Sequence, residues 1–312
     1  MGDEFSRIAR YLAPLAGPEG LGLTDDAALF TPPAGEQLVF TTDQMLEGVH
    51  FISGDPPALI ARKLLRRNLS DLAAMGATAC GYLLTTALPP ATDESWLAGF
   101  ADGLAQDQAE FGVKLFGGDS SSSLSHISLS ATLIGYVAPG EALRRNGAKA
   151  GDDIWVTGTI GDAALGLRAR QGSLADPSGY LTKRSLLPSP RMGLNLANIV
   201  HAAIDISDGL IQDLGHICTA SNLTAQINAH LVPTSPAAAA LGDQYLDARL
   251  TEGDDYELIL IISPANSARL NAACKQVPIT RIGTMSKGQA RVITLDKSGM
   301  PIHPKQTGWR HF

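Results

Sequence analysis

Basic residues are too few in this chain for it to grip nucleic acid. Lys and Arg number 24 against 31 Asp and Glu, a net charge of −7, whereas affinity for a phosphate backbone requires a basic surface. Cysteine is equally sparse. Cys80, Cys218 and Cys274 lie far apart and none forms a CxxC pair, which argues against a disulfide framework or a zinc site and fits a reducing, cytoplasmic compartment. No apolar run is long enough to span a bilayer, and residues 1–11 carry charge throughout with no apolar h-region, so neither a membrane span nor a signal peptide is expected. A GxxxxGK[ST] loop is missing, as is the protein-kinase set of motifs. Gly20-Leu21-Gly22-Leu23-Thr24-Asp25 begins like GxGxxG but ends in Asp and follows no strand, which argues against a dinucleotide site there. Aromatics amount to 5%. Plentiful Ala and Gly in their place favour close-packed helices and tight turns.

What is present is enough for two cores. The chain has 312 residues, 45% hydrophobic and 18% charged, an ordinary globular balance for one large or two medium domains. Helical spacing is read over 5–14, 56–75 and 93–111, and strands over 37–42, 113–116 and 126–137. Pro139-Gly140 and the polar stretch 144–153 read as a connection. The boundaries expected are 1–138 and 149–312. Beyond the connection, strands are read near 154–157, 202–206, 223–232, 256–263, 278–283 and 290–295. Helices are read near 162–170, after Pro188-Ser189-Pro190, after Ser207-Asp208-Gly209, and near 235–241 and 266–275. Irregular alternation with hairpin-like strand pairs predicts two α/β or α+β domains, not a TIM barrel or a Rossmann fold.

Aspartates recur at the ends of these elements. Asp25/Asp26, Asp43, Asp71, Asp119, Asp205 and Asp208 each fall at a predicted strand or helix end, or beside Gly, Ser or Thr. Any one of them reads as a cap or turn residue, because its side chain bonds nearby backbone N–H groups. Repetition is harder to explain that way: LVFTTD, KLFGGD and AAIDISD each deliver a carboxylate at the end of an apolar strand. Carboxylates gathered in a small volume repel unless cations neutralise them. Mg²⁺ takes carboxylate, hydroxyl and phosphate oxygens, and Thr41 and Thr42 stand beside Asp43. An acidic chain can then bind ATP through metals that bridge carboxylates to phosphates. Asp205 and Asp208 are separated by two residues, not one, which disfavours a covalent aspartyl phosphate.

Other candidates carry a plain reading beside the functional one. Gly117-Gly118-Asp119-Ser120 offers backbone N–H groups to a phosphate, or is a flexible turn. Ser120–Ser123 is a mobile lid or a solvated linker. Arg144, Arg145 and Lys149 are a solvated cluster or a phosphate clamp. His50 is structural or catalytic. Asp213 and His216 read as a packing or surface pair. Trp309 fills a core or stacks on an aromatic substrate.

In order along the chain come TDDAAL at 24–29, Thr41-Thr42-Asp43, GVHF at 48–51, NLSDLAAMG at 68–76, Gly117-Gly118-Asp119, RNGAK at 145–149, VTGT at 156–159 and DISDGL at 205–210. Together they resemble thiamine-monophosphate kinase, a family of the ATP-binding superfamily that includes aminoimidazole ribonucleotide synthetase and selenophosphate synthetase. The resemblance covers nearly the whole chain. It implies an N-terminal domain with dimer-forming strands that build the nucleotide site near the interface of a homodimer, and a C-terminal α+β domain. It implies direct in-line transfer of the ATP γ-phosphoryl group to thiamine monophosphate, with several Mg²⁺ ions and no phosphoenzyme. Asp26, Thr41, Thr42, Asp43, Asp71, Asp119, Asp205 and Asp208 match metal positions, and Asp43, Asp119 and Asp208 are the catalytic candidates. Gly118, Asp119, Arg145 and Ser207 match nucleotide contacts. His50, Asp254 and Trp309 match positions that meet thiamine. Two departures stand out. The run EGDDYE at 252–257 replaces Gly-Gly-Glu-Asp-Tyr-Glu, leaving Asp254 one methylene short, and Thr24 replaces a Gly before the paired Asp.

Neighbouring readings remain open on the residues. A selenophosphate synthetase has an N-terminal Cys or selenocysteine, but the first Cys here is Cys80. Hydrogenase-maturation members end in a functional Cys, but this chain ends Trp309-Arg310-His311-Phe312. An aminoimidazole ribonucleotide synthetase, a metal-dependent phosphohydrolase and a non-catalytic nucleotide- or thiamine-binding protein are the alternatives, separable by which acceptor, if any, stimulates ATP use.

Overall fold

The computed structural model describes residues 4–309. The chain divides into two compact units. The first runs to Leu72 and resumes over Ala77–Gly140; the second comprises Ala73–Gly76 and the residues from Glu141 onward.

In the first unit, α1 (Glu4–Arg7) leads through a helical path to Leu15 and a turn at Pro18–Leu23. There follow β1 (Gln37–Leu46), α2 (Pro57–Ala74), β2 (Thr78–Leu88), α3 (Glu94–Phe111), β3 (Lys114–Ser122) and β4 (Ser128–Val137). Helix α2 forms because Ile60, Leu64, Leu65, Leu69 and Leu72 recur at three- and four-residue steps, and all are buried. Helix α3 starts at Asp93, whose carboxylate accepts the Trp96 N–H at 2.8 Å, and stops at Gly112 in the left-handed conformation. Such a cap contributes about 1 kcal/mol.

The strands form one sheet in the order β1-β4-β2-β3. Strand β1 is antiparallel to β4, β4 is antiparallel to β2, and β2 is parallel to β3. Alternation gives the sheet two faces. Met45, Leu129, Leu133, Tyr82 and Leu84 are buried on one, while Leu38, Phe40, Thr42 and Gln44 alternate out to the other in β1.

Strand β2 is absent from the sequence reading. Its Ala-Cys-Gly start and Leu-Leu-Thr-Thr centre blur the two-residue period, and the buried set Tyr82, Leu84, Thr86 and Leu88 emerges in the fold. Strands β1 and β3 also run further than expected. Asp43 and Asp119 lie inside them, and Ser120–Ser122 belong to β3, not to a loop.

The second unit contains β5 (Asp153–Thr157), α4 (Asp162–Arg170), α5 (Tyr180–Leu186), β6 (Val200–Asp205), α6 (Leu210–Ser221), β7 (Thr224–Asn228), α7 (Pro236–Ala239), α8 (Leu246–Thr251), β8 (Leu258–Ile262), α9 (Ser267–Ala273), β9 (Ile279–Ser286), β10 (Arg291–Leu295) and β11 (Pro301–Ile302). Its sheet has the order β11-β10-β7-β9-β5-β8-β6, mixed parallel and antiparallel. Strand β8, Leu-Ile-Leu-Ile-Ile, is buried throughout. Ile259 and Ile261 join one apolar cluster with Ile204 and Leu214, whereas Leu258, Leu260 and Ile262 join another with Leu196 and Leu270. A sheet covered on both faces reads as an unbroken apolar run for this reason. The helix expected after Pro190 does not form. Arg191 turns its guanidinium onto the buried Glu257, and Gly193 takes a positive φ.

Candidate active site

In the first unit β1 and α2 bring part of the acidic set together. Thr41 and Asp43 share the helix-covered face of β1, where the Thr41 hydroxyl donates to Asp71 Oδ2 at 2.6 Å and Arg67 Nε lies 3.4 Å from Asp43 Oδ2. Asp71 and Arg67 both come from α2. Thr42 projects to the opposite face; its hydroxyl bonds the Ala131 carbonyl at 3.2 Å and accepts from Thr132 at 3.1 Å.

Asp119 pairs opposite Thr85 on β3. Because β1 and β3 are the two edges of the sheet, three inter-strand steps separate them, about 14 Å along the sheet. Gly118 approaches the Leu84 carbonyl so closely that a Cβ would stand 1.7 Å from it. Asp26 is exposed in the irregular segment before β1, where Thr24 Oγ1 donates to the Leu21 carbonyl at 2.9 Å. His50 Nδ1 accepts the Leu46 N–H at 3.0 Å. That bond places the proton of the neutral ring on Nε2.

In the second unit several candidates meet on two loops. Asp205 ends β6 in a buried position. The chain then continues alongside the run into β8: Ile206 N–H donates to the Glu257 carbonyl, Tyr256 N–H to Ile206, and Asp254 N–H to Ser207, all at 2.8–2.9 Å. Contact is tight enough that a Cβ on Gly253 would stand 1.8 Å from the Ser207 carbonyl. Asp254 itself has φ +71°, and its Oδ1 accepts the Tyr256 hydroxyl at 3.1 Å.

Asp213 holds the neighbouring turn. Its Oδ2 accepts the N–H groups of Ser207, Asp208 and Gly209, each at 3.0 Å, while burial pushes its carboxyl up to about 7. Side-chain oxygens or nitrogens of Asp208, Asp213 and His216 come within 4.8 Å of one another, but the Asp213 carboxylate is engaged in holding the backbone.

Gln212 joins two candidates directly. Its side-chain amide donates to Asp208 Oδ2 and to the Trp309 carbonyl, both at 2.9 Å, and the Trp309 N–H returns to the Asp208 carbonyl at 2.9 Å. The Trp309 ring remains 54% exposed. Arg145 is an exposed residue of the segment before β5.

Sequence reasoning did not single out Gln212 or assign Asp213 this holding role. Their positions four and five residues after Asp208, in the first turn of α6, were the available signal. Asp255 and Glu257 also turn out to be scaffold. Asp255 caps α4 through Gly161 N at 2.6 Å and Ala163 N at 3.2 Å, and Glu257 is gripped by Arg191 and Arg184.

A two-domain architecture with acidic residues on both sheets defines a class. Residues 24–137 match the N-terminal domain, and residues 149–296 the C-terminal domain, of AIR synthase related proteins. Within that class, the chain is 40% identical to the thiamine-monophosphate kinase of Caulobacter vibrioides over 99% of this chain and 90% of that one. It is also 40% identical to the crystal structure of thiamine-monophosphate kinase from Stenotrophomonas maltophilia, with a TM-score of 0.82 and 93% of each chain covered. A complex of AaThiL with AMPPCP and TMP is 28% identical, with a TM-score of 0.80 over 92% of this chain and 91% of that one. The chain belongs to the thiamine-monophosphate kinase family.

Proposed function

We propose that this chain transfers the γ-phosphoryl group of ATP directly onto the phosphate of thiamine monophosphate, giving thiamine diphosphate and ADP, with Mg²⁺ as the required ion. Full-length kinship with thiamine-monophosphate kinases at 40% identity carries the reading. It is supported by the meeting of Ser207, Asp208, Asp254 and Trp309 on adjoining loops.

A phosphate oxygen of thiamine monophosphate attacks the γ-phosphorus in line, the bond to the β-phosphate oxygen breaks, and ADP leaves with that electron pair. A phosphomonoester has its second pKa near 6, so the acceptor is already a nucleophile at neutral pH and no general base is needed. Positioning and charge neutralisation carry the catalysis.

The donors fit Mg²⁺. Asp26, Thr41, Asp43, Asp71, Asp119, Asp205 and Asp208 offer carboxylate and hydroxyl oxygens without sulfur or imidazole, and Thr41, Asp43 and Asp71 meet beside β1, whereas the Thr42 hydroxyl is turned to the other face, onto Ala131 and Thr132. The carboxylates and Thr41 would hold Mg²⁺, which would supply neutralising charge beside the phosphates. Gly118, Asp119, Arg145 and Ser207 are the nucleotide contacts in this reading, Arg145 gripping phosphate oxygens through its planar fork. His50, Asp254 and Trp309 take the thiamine moiety. The exposed indole suits a cationic, aromatic ligand, and the Asp254 carboxylate adds the opposite charge.

The partner is a second copy of the chain. Leu38, Phe40, Leu46 and Leu83 are exposed apolar residues of the first unit's sheet, Phe40 at 61%, an apolar patch of the kind that partners cover. A cytoplasmic setting agrees with the three unpaired cysteines among the described residues. No helix among those residues is long and apolar enough to cross a membrane. Incubation with ATP, Mg²⁺ and thiamine monophosphate should yield ADP and thiamine diphosphate in equal amounts, and chelation should abolish both. ADP with free phosphate and no thiamine diphosphate would refute the acceptor.

A further inference from the structure

A cavity of about 500 Å³ opens in the second unit between Ala229–Val232, the stretch Ala239–Arg249 and the turn Asp296–Ser298. None of the residues assigned above to nucleotide, thiamine or metal lines it. Its volume is in the range of small-molecule sites.

Arg249, on α8, stands in its wall at 7% exposure. The guanidinium carries five N–H donors, and the described residues meet few of them. Nη1 donates to Thr234 Oγ1 at 2.8 Å. Nη2 lies 3.7 Å from the carboxylate of Asp243, beyond hydrogen-bond reach, and that side chain is 82% exposed. Nε is buried without a partner. Thr234 and Asp243 line the same cavity, which places the guanidinium against its space.

Three other guanidinium groups are met by two-pronged carboxylates, Arg66 on Asp107, Arg168 on Glu252 and Arg191 on Glu257, and Arg184, whose Nε is likewise unpartnered, still has Glu257 and the Asp255 carbonyl on Nη2. Arg249 has no such partner. The buried Asp162 is near enough to favour its charge, but the Asp162 oxygens are taken by the hydroxyls of Thr159, Ser235 and Tyr180. Burial pushes the Arg249 pKa down, opposed by Asp243 and Asp162. A covered cation with unmet donors is costly to the fold, and a ligand that supplies the missing oxygens offsets that cost.

Lys297 adds a second cation to a wall that also holds the carboxylates of Asp243 and Asp296. The hydroxyls of Thr234 and Ser298 are turned to the Val232 carbonyl and to Asp296, so the two cations carry the attraction. Asp296 directs Oδ1 at its own turn, accepting Ser298 N, Ser298 Oγ and Met300 N. Val232 and Leu246 give the cavity an apolar side.

We propose that this cavity is a binding site for a small organic anion, a phosphate monoester or a carboxylate, whose oxygens meet Arg249 at Nη2, the enclosed Nε being out of a ligand's reach, with Lys297 as the second cation. The proposal stands independently of the kinase reading.

Calorimetric titration of the full-length protein in EDTA, with inorganic phosphate and separately with acetate, tests it. Wild type should bind at least one of the two at millimolar concentration. Arg249→Met should weaken that binding at least tenfold, with a melting temperature in anion-free buffer no lower than wild type, because an apolar side chain leaves no unmet donor. Lys297→Ala, on an exposed turn, should weaken binding about threefold and carries the test if Arg249→Met fails to fold. Tighter phosphate than acetate assigns a phosphate monoester, and the reverse a carboxylate. No binding of either anion to wild type, or unchanged binding in the variants, overturns the proposal.

Discussion

Replacing Gln212 with alanine should separate substrate positioning from stability. One side-chain amide there spends both its N–H donors, on Asp208 Oδ2 and on the Trp309 carbonyl. A hydrogen bond to a charged acceptor contributes about 1.5–3 kcal/mol and one between neutral groups about 0.5–1.5 kcal/mol. Gln212 is half-buried and Trp309 exposed, so the lower ends apply, about 2 kcal/mol together. The Trp309 N–H still reaches the Asp208 carbonyl, which returns part of the ordering. About 1.4 kcal/mol then remains, a factor of ten.

We expect the KM for thiamine monophosphate, or the Mg²⁺ concentration for half-maximal rate, to rise about tenfold. Turnover at saturation should fall less than threefold, and the melting temperature should move little. Gln212→Glu keeps the size but sets a second carboxylate against Asp208, so its Mg²⁺ requirement should shift further than that of the alanine variant. Initial-rate kinetics over both concentrations read this out. Unchanged KM and Mg²⁺ requirement in Gln212→Ala, with or without a lower melting temperature, would refute the positioning role.

Asp43→Asn and Asp119→Asn should each lower turnover by orders of magnitude while circular dichroism stays that of the wild type; near-normal rates in both would remove the metal reading. Phe40→Asp places a charge on the open face of β1 and should convert a dimer of about twice 32.7 kDa into a monomer, measured by light scattering. Asp255 supplies a pH signature. Burial raises its carboxyl from 3.8 to about 8, so the folded state binds a proton that the unfolded chain releases between those values. The stability this contributes is fully present below pH 3.8 and is lost as pH rises towards 8, with a slope of up to about 1.4 kcal/mol per pH unit. Urea unfolding at pH 5.5 and 7.5 should show a wild-type decline that Asp255→Asn flattens.

Much of this was legible in the sequence because it is local. The two-residue period of QLVFTTD puts Thr41 and Asp43 on one face and Thr42 on the other, and the run Leu-Ile-Leu-Ile-Ile marks a strand covered on both sides. Asp93 and Gly112 bracket α3 as capping chemistry requires. What escaped depends on distant partners. Nothing local in Thr78–Leu88 announces a strand between β4 and β3, and strand order, which sets Asp43 and Asp119 on opposite edges, has no sequence signature. Asp254, Asp255 and Glu257 are alike as residues. Only the fold separates the one beside Ser207 from those that cap α4 and hold Arg191.

The central claim, direct transfer between two small molecules, is tested by a single turnover with γ-labelled ATP, Mg²⁺ and thiamine monophosphate. Samples quenched over time are divided between nucleotide, thiamine and protein fractions. The account predicts that label leaves ATP at the rate at which it enters the terminal phosphate of thiamine diphosphate, with none held by denatured protein at any time. Label bound to protein before thiamine diphosphate appears, or label released as inorganic phosphate in place of thiamine diphosphate, would contradict it.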